Sequence, residues 1–574
     1  MTEKINFGKN QEFYLKNKLY IKEGETLEQR IDEIVGVVRK HQHKYQDLGL
    51  ADRVKKLIVD KVLIPSTPQL ANAGRYEKEG TSPLPCSCNV ITVGNSIQDI
   101  YYSIGETAML SKLGAGVGAN IEQIFPKGTE IEKGFFSNSK LDWAEDIVRT
   151  AQKVSQSSVR RGYAVVFDSI TSPEFYDLLK RVDRTNPDKS DPFATNNLGI
   201  HIPKGFMEEM EAGNKDYQKR FLTLVQKRKQ TGNIYVVFDS NMDKNKSEVY
   251  ERQNVTPSLT NICTESSTPA YKDKTFACVL ASLNLTKWDY IKKNPQAIKD
   301  SYIFLDIMVE EYIELTEGVP FLEKARRSAI EKRDVALGTL GFHDYIQEKG
   351  CAFGDVQSRV INKSIYKTIQ KYCKETNIEL ANTLGACPMA KEVGLNFRNV
   401  SMNMIAPNKT TSFIAGDDVL YPSGVSLGIE PIMSNYFVKD LAGISVTFKN
   451  RRLEKVLEEL GKNTPEVWQS ISDNIGSVSH LDFLSDYHKR LFKTFAEISP
   501  KDIIDLASDR QEFIDMAQSI NLVSRNNYSI QDLYDIHKYA YDKGIKTLYY
   551  MYPQAHAVFA TDGDRWDACE SCAD

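Results

Sequence analysis

Nine cysteines stand at positions 86, 88, 263, 278, 351, 373, 387, 569 and 572, and their neighbours sort them by the chemistry each could do. Cys263 lies in Asn261-Ile-Cys-Thr-Glu265. On an extended segment the side-chain period of two turns Asn261, Cys263 and Glu265 to one face, so an amide, a thiol and a carboxylate would line one pocket. A buried thiol that only packs is the alternative. Cys569-Glu-Ser-Cys572 sits on an acidic terminal stretch with little to bury, where a dithiol is open to exchange with redox partners. It could also be half of a zinc site, with Cys86 and Cys88 supplying the other ligands. The odd count argues against a full set of intrachain disulfides and fits a reduced, cytoplasmic chain.

Two further segments invite a phosphate-bearing ligand. Pro407-Asn408-Lys409-Thr410-Thr411-Ser412 follows the apolar Met404-Ile405 and gathers hydroxyls, an amide and a lysine. With a helix starting at Thr410, its backbone N–H groups would form an anion nest; a polar helix start without a ligand is the bland reading. Gly114-Ala-Gly-Val-Gly118 looks like a dinucleotide turn, but that motif needs a strand before it, and Ile97 to Leu113 reads as a helix. A helix C-terminus running into a close-packed backbone turn is the better reading.

The elements that must hold these groups alternate. Thr26 with Gln29 forms a capping box, and Leu27, Ile31, Ile34, Val35 and Val38 recur at helical spacing until Pro65 and Pro68 end the pattern. Tyr163–Asp168, Asn197–Ile202 and Ile234–Asp239 are β-rich, whereas Leu453–Leu460 and Ile503–Ile520 are amphipathic. Near the end Ser529 caps a helix with Asp532, Gly544 stops it, and Ile545–Tyr550 reads as a strand. The alternation points to an α/β sheet or barrel. With no repeat and no clean linker between 65 and 550, one large unit is expected: an N-terminal helical region at 1–64, a barrel at 65–552 and a flexible tail at 553–574.

Composition narrows the partners. The 574 residues are 41% hydrophobic, enough for a sizeable core, and 73 Lys plus Arg against 77 Asp plus Glu leave a net charge of −4. No basic footprint for nucleic acid or an anionic membrane stands out. The first thirty residues are Lys-rich and lack an apolar run, and the longest uncharged stretch, Thr81–Gln98, is full of Ser, Pro, Cys and Asn. Neither a signal peptide nor a membrane span is expected.

Taken in order, these pieces resemble the large, catalytic subunit of class I ribonucleotide reductases. The resemblance rests on Pro65-Ser-Thr-Pro68, Asn72-Ala-Gly74, Ser87-Cys88, Asn261 to Glu265, Cys278 ahead of Ala281-Ser-Leu-Asn284, and Leu337-Gly-Thr-Leu-Gly341. Pro407 to Ser412, Gly428-Ile-Glu-Pro431, Tyr549-Tyr550 and the terminal CxxC complete it. It implies a ten-stranded α/β barrel of two antiparallel halves with a central finger loop. On that pattern Cys263 would be the transient thiyl that takes the ribose 3′ hydrogen, Glu265 the acceptor of the 3′-hydroxyl proton, and Asn261 a ligand of the ribose hydroxyls. Cys88 and Cys278 would supply reducing equivalents and end as a disulfide, which Cys569 and Cys572 would reset through thioredoxin or glutaredoxin. Cys88 is preferred to Cys86 because Asn89–Val93 and Gly94-Asn95-Ser96 follow it as in the family.

The same resemblance places substrate phosphates on Thr410, Thr411 and Ser412, with Pro407, Asn408 and Lys409 beside them and Thr67 and Ser87 lining the site. Tyr549-Tyr550 would relay an oxidising equivalent from a metal-containing small subunit, the chain itself holding no metal. Without that relay the chain would fit the adenosylcobalamin-dependent class II, and without catalysis a nucleotide-binding regulator with structural zinc. Nucleoside triphosphate effectors and a homodimer are also implied. Asn95 stands where an effector-contacting Asp is common, Arg184–Phe193 matches the specificity loop poorly, and Lys409 replaces a common Glu. The 64 residues before Pro65 are too few for the usual helical region plus an ATP-cone, so cone-type control is not expected.

Overall fold

The computed structural model describes residues 8–554 apart from 78–79, 87, 155–160, 183–189, 195 and 442–443. Its strands are short runs of apolar and small residues. Cys88–Thr92, Gly116–Asn120, Ala164–Ser169, Leu198–Ile202 and Ile234–Phe238 are buried along their whole length. Strands covered on both faces need no polar alternation, which is why they read as continuous apolar runs. They pair side by side and all in parallel, with crossover helices that include Ile97–Lys112, Lys140–Lys153 and Lys215–Thr231.

The second half runs the other way. Phe276–Asn284 pairs antiparallel with Cys88–Thr92 and, further along, with Leu63–Pro65; its other edge pairs in parallel with Val335–Leu340. The next stave is 401–405, reached by hydrogen bonds from Val335 N to Ser401 O and Leu337 N to Met402 O. It is tied to 516–524 by Met516 N to Asn403 O, Ile405 N to Ala517 O and Ser519 N to Ile405 O. Tyr549 N to Ile520 O, Leu522 N to Tyr550 O and the parallel pairing of Leu522–Ser524 with Met551–Pro553 reach the last stave. Thr547–Leu548 then closes antiparallel on Ile234–Phe238. The circuit has ten staves, five in each direction, two of them held by scattered hydrogen bonds rather than regular ladders.

Helices Leu27–His41 and Leu50–Val59 pack into the same core as the barrel. The Thr26–Gln29 capping box forms as expected. Buried Arg30 donates from Nε to Leu70 O and from Nη2 to Gln69 O and Ala73 O, so the helical region is bolted to the segment after the first strand. Pro65 ends the strand Leu63–Pro65 rather than a helix, and Pro68 sits in the first turn of helix Thr67–Asn72, where its missing N–H costs nothing. The amphipathic stretch 503–520 is helical only within Pro500–Gln511. Beyond it the Asp515 carboxylate accepts Met402 N and Asn403 N, a tertiary demand that draws the chain into the barrel wall. Ile530–Asp542 has its Ser529–Asp532 box, but the strand after it is interrupted, Thr547–Leu548 and Met551–Pro553 flanking the two tyrosines. Among the described residues no helix is long and apolar enough to cross a membrane.

Candidate active site

The segment with Asn261, Cys263 and Glu265 is a loop inside the barrel. Its neck is closed by Leu259 N to Thr268 O and Thr268 N to Leu259 O. Asn261 and Glu265 meet while Cys263 faces Tyr549, and the arrangement is not the alternation of an extended strand. Thr264 N bonds Asn261 O at 3.0 Å and Thr264 holds φ 65°, so the chain turns back on itself. A threonine in the left-handed region is strained and persists only where its surroundings fix it. Here they do: Thr547 Oγ1 donates to Thr264 O at 2.8 Å and Ala517 N to Glu265 O at 2.8 Å. Opposite, Gly118 lies so close that a Cβ there would stand 2.7 Å from Thr260 O and 3.1 Å from Asn261 Cα. That contact explains the glycine-rich run 114–118: it is a helix end followed by the strand Gly116–Asn120, built to let the loop approach, and not a dinucleotide turn.

Glu265 is the hub. Asn261 Nδ2 donates to its Oε1 at 2.9 Å, Ser519 Oγ to its Oε2 at 3.2 Å, and the Cys88 thiol approaches Oε1 at 3.9 Å. Ser519 Oγ also bonds Cys263 O. Burial pushes the Glu265 carboxyl up to about 7, although Asn261 and Ser519 pull the other way. Cys88 and Cys278 face each other across the antiparallel strand pair. Facing residues hold their Cβ atoms about 4.5–5.5 Å apart and a disulfide wants about 3.5–4.5 Å, so a shift of about 1 Å would join them. Neither is in a disulfide here, and burial drives Cys278 well above the ordinary thiol range. Cys86 donates to Cys278 O at 3.0 Å and is pushed up to about 12 by burial.

On the other side of the loop, Tyr549 OH lies 3.6 Å from Cys263 Sγ. The Tyr549 and Tyr550 rings are 4.3 Å apart, and Asn197 Nδ2 donates to Tyr550 OH at 2.8 Å. Cys263, Tyr549 and Tyr550 share one buried cluster with Tyr235 and Tyr163. Glu265 thus stands between a thiol backed by phenols and a pair of thiols on the barrel wall.

The polar segment after Ile405 forms the short helix Lys409–Ile414, one residue earlier than expected, with Asn408 at φ 55° before it. Thr411 Oγ1 and Ser282 Oγ donate to Asn408 Oδ1, Thr410 Oγ1 meets Tyr14 OH at 3.3 Å, and Ser412 Oγ donates to Ser426 O. Pro407 and Lys409 are half-buried, the other four buried. Thr67 heads helix Thr67–Asn72, just after Ile64, which packs with Ala415. Asn95 is exposed beyond the strand Cys88–Thr92, away from the buried cluster. Ser87, most of the 184–193 stretch and Cys569 and Cys572 lie outside the described residues. Sequence reasoning missed Ser519, which carries no motif, and the role of Glu430. Glu430, in the Gly428–Pro431 motif, accepts Asn521 Nδ2, and Asn521 Oδ1 accepts Tyr550 N at 2.9 Å.

Among the described residues, His41, Glu311 and Glu314 alone group His, Cys, Asp or Glu closely enough for a metal ion. Lys40 Nζ already lies 2.8 Å from carboxylate oxygens of both glutamates. Cys86 and Cys88 are in no such group.

Comparison with known proteins identifies the family. The family model described as the barrel domain of ribonucleotide reductase matches residues 86–221, 216–393 and 389–551. The ribonucleoside-diphosphate reductase large subunit of Invertebrate iridescent virus 3 is 27% identical, covering 93% of this chain and 91% of its own. A putative large subunit of Frog virus 3 is 25% identical over 86% of this chain and 88% of its own. Among solved structures, the alpha subunit of the Actinobacillus ureae class Id ribonucleotide reductase superposes with a TM-score of 0.85 at 31% identity, covering 96% of this chain and 98% of that one. The chain belongs to the class I ribonucleotide reductase family, as a large, catalytic subunit.

Proposed function

We propose that this chain reduces ribonucleoside diphosphates to 2′-deoxyribonucleotides, with Cys263 as the radical-bearing thiol. The observation that carries the reading is the 3.6 Å approach of Tyr549 OH to Cys263 Sγ, with Glu265 on the far side of the same turn. A one-electron oxidant on a separate metal-containing small subunit draws an electron and a proton from Cys263 through Tyr550 and Tyr549. The thiyl takes the ribose 3′ hydrogen atom and becomes a thiol, while Glu265 takes the 3′-hydroxyl proton and Asn261 orients the hydroxyls. Protonated by a facing thiol, the 2′-hydroxyl leaves as water. Cys88 and Cys278 give two electrons and two protons in all, one proton leaving in the water and one hydrogen going to C2′, and close as a disulfide; Cys263 returns its hydrogen to C3′ and is a thiyl again, and Glu265 returns its proton to the 3′ oxygen.

A carboxyl held near 7 suits the shuttling role, since at neutral pH it gives and takes a proton with little driving force either way. Thr410, Thr411 and Ser412 supply the phosphate end, with Pro407, Asn408, Lys409, Thr67 and Ser87 shaping it. Cys569 and Cys572 exchange thiols with the wall disulfide and are reset by thioredoxin or glutaredoxin. A homodimer under nucleoside triphosphate control, with Asn95 near the effector, completes the reading. The closely packed tyrosine pair favours this over a cobalamin-dependent enzyme, which needs no relay from a partner. The test is deoxynucleotide formation from CDP with dithiothreitol and the cognate small subunit. Cys263→Ser is expected to abolish turnover while CDP still binds; substantial turnover by that variant overturns the assignment.

A further inference from the structure

The tyrosine pair does not end at Tyr550. Met551–Pro553 is a strand that begins directly after Tyr550 and carries Tyr552 two residues on. Their rings are stacked, 16° from parallel with centroids 5.6 Å apart. Tyr549 and Tyr550, at the interruption before that strand, pack at 4.3 Å and 59° instead. The three rings therefore form a file from Cys263 outward. Burial changes along it: Cys263, Tyr549 and Tyr550 are 4%, 3% and 6% exposed, whereas Tyr552 is only partly buried and packs against the edge of their cluster. Tyr235 also touches both inner rings, at 4.5 and 5.3 Å, but it is fully buried and offers no way in from the surface.

We propose that Tyr552 is a third relay residue, the point at which the oxidising equivalent enters this chain. The proposal rests on the relay reading above. Electron transfer between aromatic rings falls off steeply with the gap, so an oxidant outside the protein reaches the outermost ring first. The small subunit's one-electron oxidant takes an electron from Tyr552, whose phenolic proton leaves toward the protein surface. Tyr550 then reduces the Tyr552 radical with an electron and a proton, Tyr549 reduces Tyr550, and Cys263 reduces Tyr549 and becomes the thiyl. After turnover the steps reverse, Tyr552 regains its proton, and no net oxidant is consumed. A packing role alone would need an aromatic ring at 552 but not a phenol.

The experiment uses the full chain with its small subunit, CDP and dithiothreitol. Tyr552→Phe keeps the ring and removes the oxidisable hydroxyl; turnover is expected to fall by at least about 100-fold with affinity for the small subunit and thermal stability unchanged. In parallel, 3-aminotyrosine at 552, more easily oxidised than tyrosine, is expected to trap a substrate-dependent radical visible by electron paramagnetic resonance. Turnover by Tyr552→Phe within about threefold of the parent overturns the proposal. So does loss of turnover that tracks weakened subunit binding, or the absence of a radical on the aminotyrosine, either of which makes Tyr552 a docking residue. Tyr549→Phe is the control: if it too retains turnover, the relay reading itself falls and the entry point with it.

Discussion

Glu265→Gln separates what the buried carboxyl does for the reaction from what it does to stability. Burial raises Glu265 from 4.5 to about 7, so the folded chain holds this proton more tightly than the unfolded chain does. The sign follows by linkage. Stability contributed by the protonated carboxyl is full below about 4.5 and is lost as pH rises through about 7. Between pH 5 and pH 8 the loss from this one group is about 2–3 kcal/mol, at about 1.4 kcal/mol for each pH unit separating the unfolded and folded pKa. Glutamine cannot ionise, keeps an oxygen for Asn261 Nδ2, and presents an amide to Ser519 Oγ, which can turn to accept it. The variant should therefore match the parent at pH 5 and gain on it at pH 8. For a chain of 574 residues the gain is about 2 °C in melting temperature. Scanning calorimetry of both chains across pH 5–8 measures it, and turnover at the same pH values gives the other half: near-complete loss in the variant, and in the parent a fall as pH drops below about 7. Superimposable melting profiles would refute the buried, titrating carboxyl; turnover by the variant would refute Glu265 as the proton acceptor.

Gly118→Ala places a methyl 2.7 Å from Thr260 O, where backbone must move; a stability cost of about 1–3 kcal/mol and a turnover loss of at least about tenfold are expected from a displaced loop, read by melting temperature and CDP reduction. An alanine variant with parental kinetics would show that the loop tolerates the shift. After a single turnover without external reductant, Cys88 and Cys278 should be found in one disulfide-linked peptide pair by mass spectrometry. A Cys86–Cys278 linkage instead would reassign the wall thiol.

The groups proposed to do chemistry were legible because each is a residue type with few other uses in that context. Asn261, Cys263 and Glu265 stand at alternate positions, and the structure puts all three on one tight turn, Asn261 against Glu265 and Cys263 toward Tyr549. The way it does so was not legible: the arrangement comes from a turn with Thr264 at positive φ, held by Thr547 and Ala517 from the opposite end of the chain. Three of the five parallel strands, Ala164–Ser169, Leu198–Ile202 and Ile234–Phe238, could be read because burial on both faces leaves an apolar run, whereas the glycine-rich Gly116–Asn120 read as a turn. Staves 401–405 and 516–524 could not be read, since Ser401, Asn403, Gln518, Ser519 and Asn521 interrupt them, and these polar side chains are buried. Their reason for being there is tertiary: Asn403 exchanges hydrogen bonds with Phe513 and Asp515, and Gln518 with Ala507 and Gln511. Ser519 and Asn521 sit on that irregular wall, which is why the partners of Glu265 and Glu430 escaped the pattern.

Burial also decides what form of hydrogen each group can move. Tyr549 and Cys278 are both held well above their ordinary ranges because the closed barrel disfavours their anions. A phenol or thiol in such a place gives up its proton together with an electron, as a neutral radical, more readily than it gives up the proton alone. Glu265 has the same burial but a lower starting point and donors on both oxygens, so its carboxyl is left near 7 rather than beyond reach. In the proposed reaction the same burial thus sorts these groups into hydrogen-atom carriers, Cys278 and Tyr549, and a proton acceptor, Glu265. Replacing Ser519 by alanine would remove one donor from Glu265, raise the carboxyl further and shift the acidic limb of the pH–rate profile upward while leaving the relay untouched. An unshifted limb would show that Ser519 holds the loop backbone at Cys263 O without tuning the carboxyl.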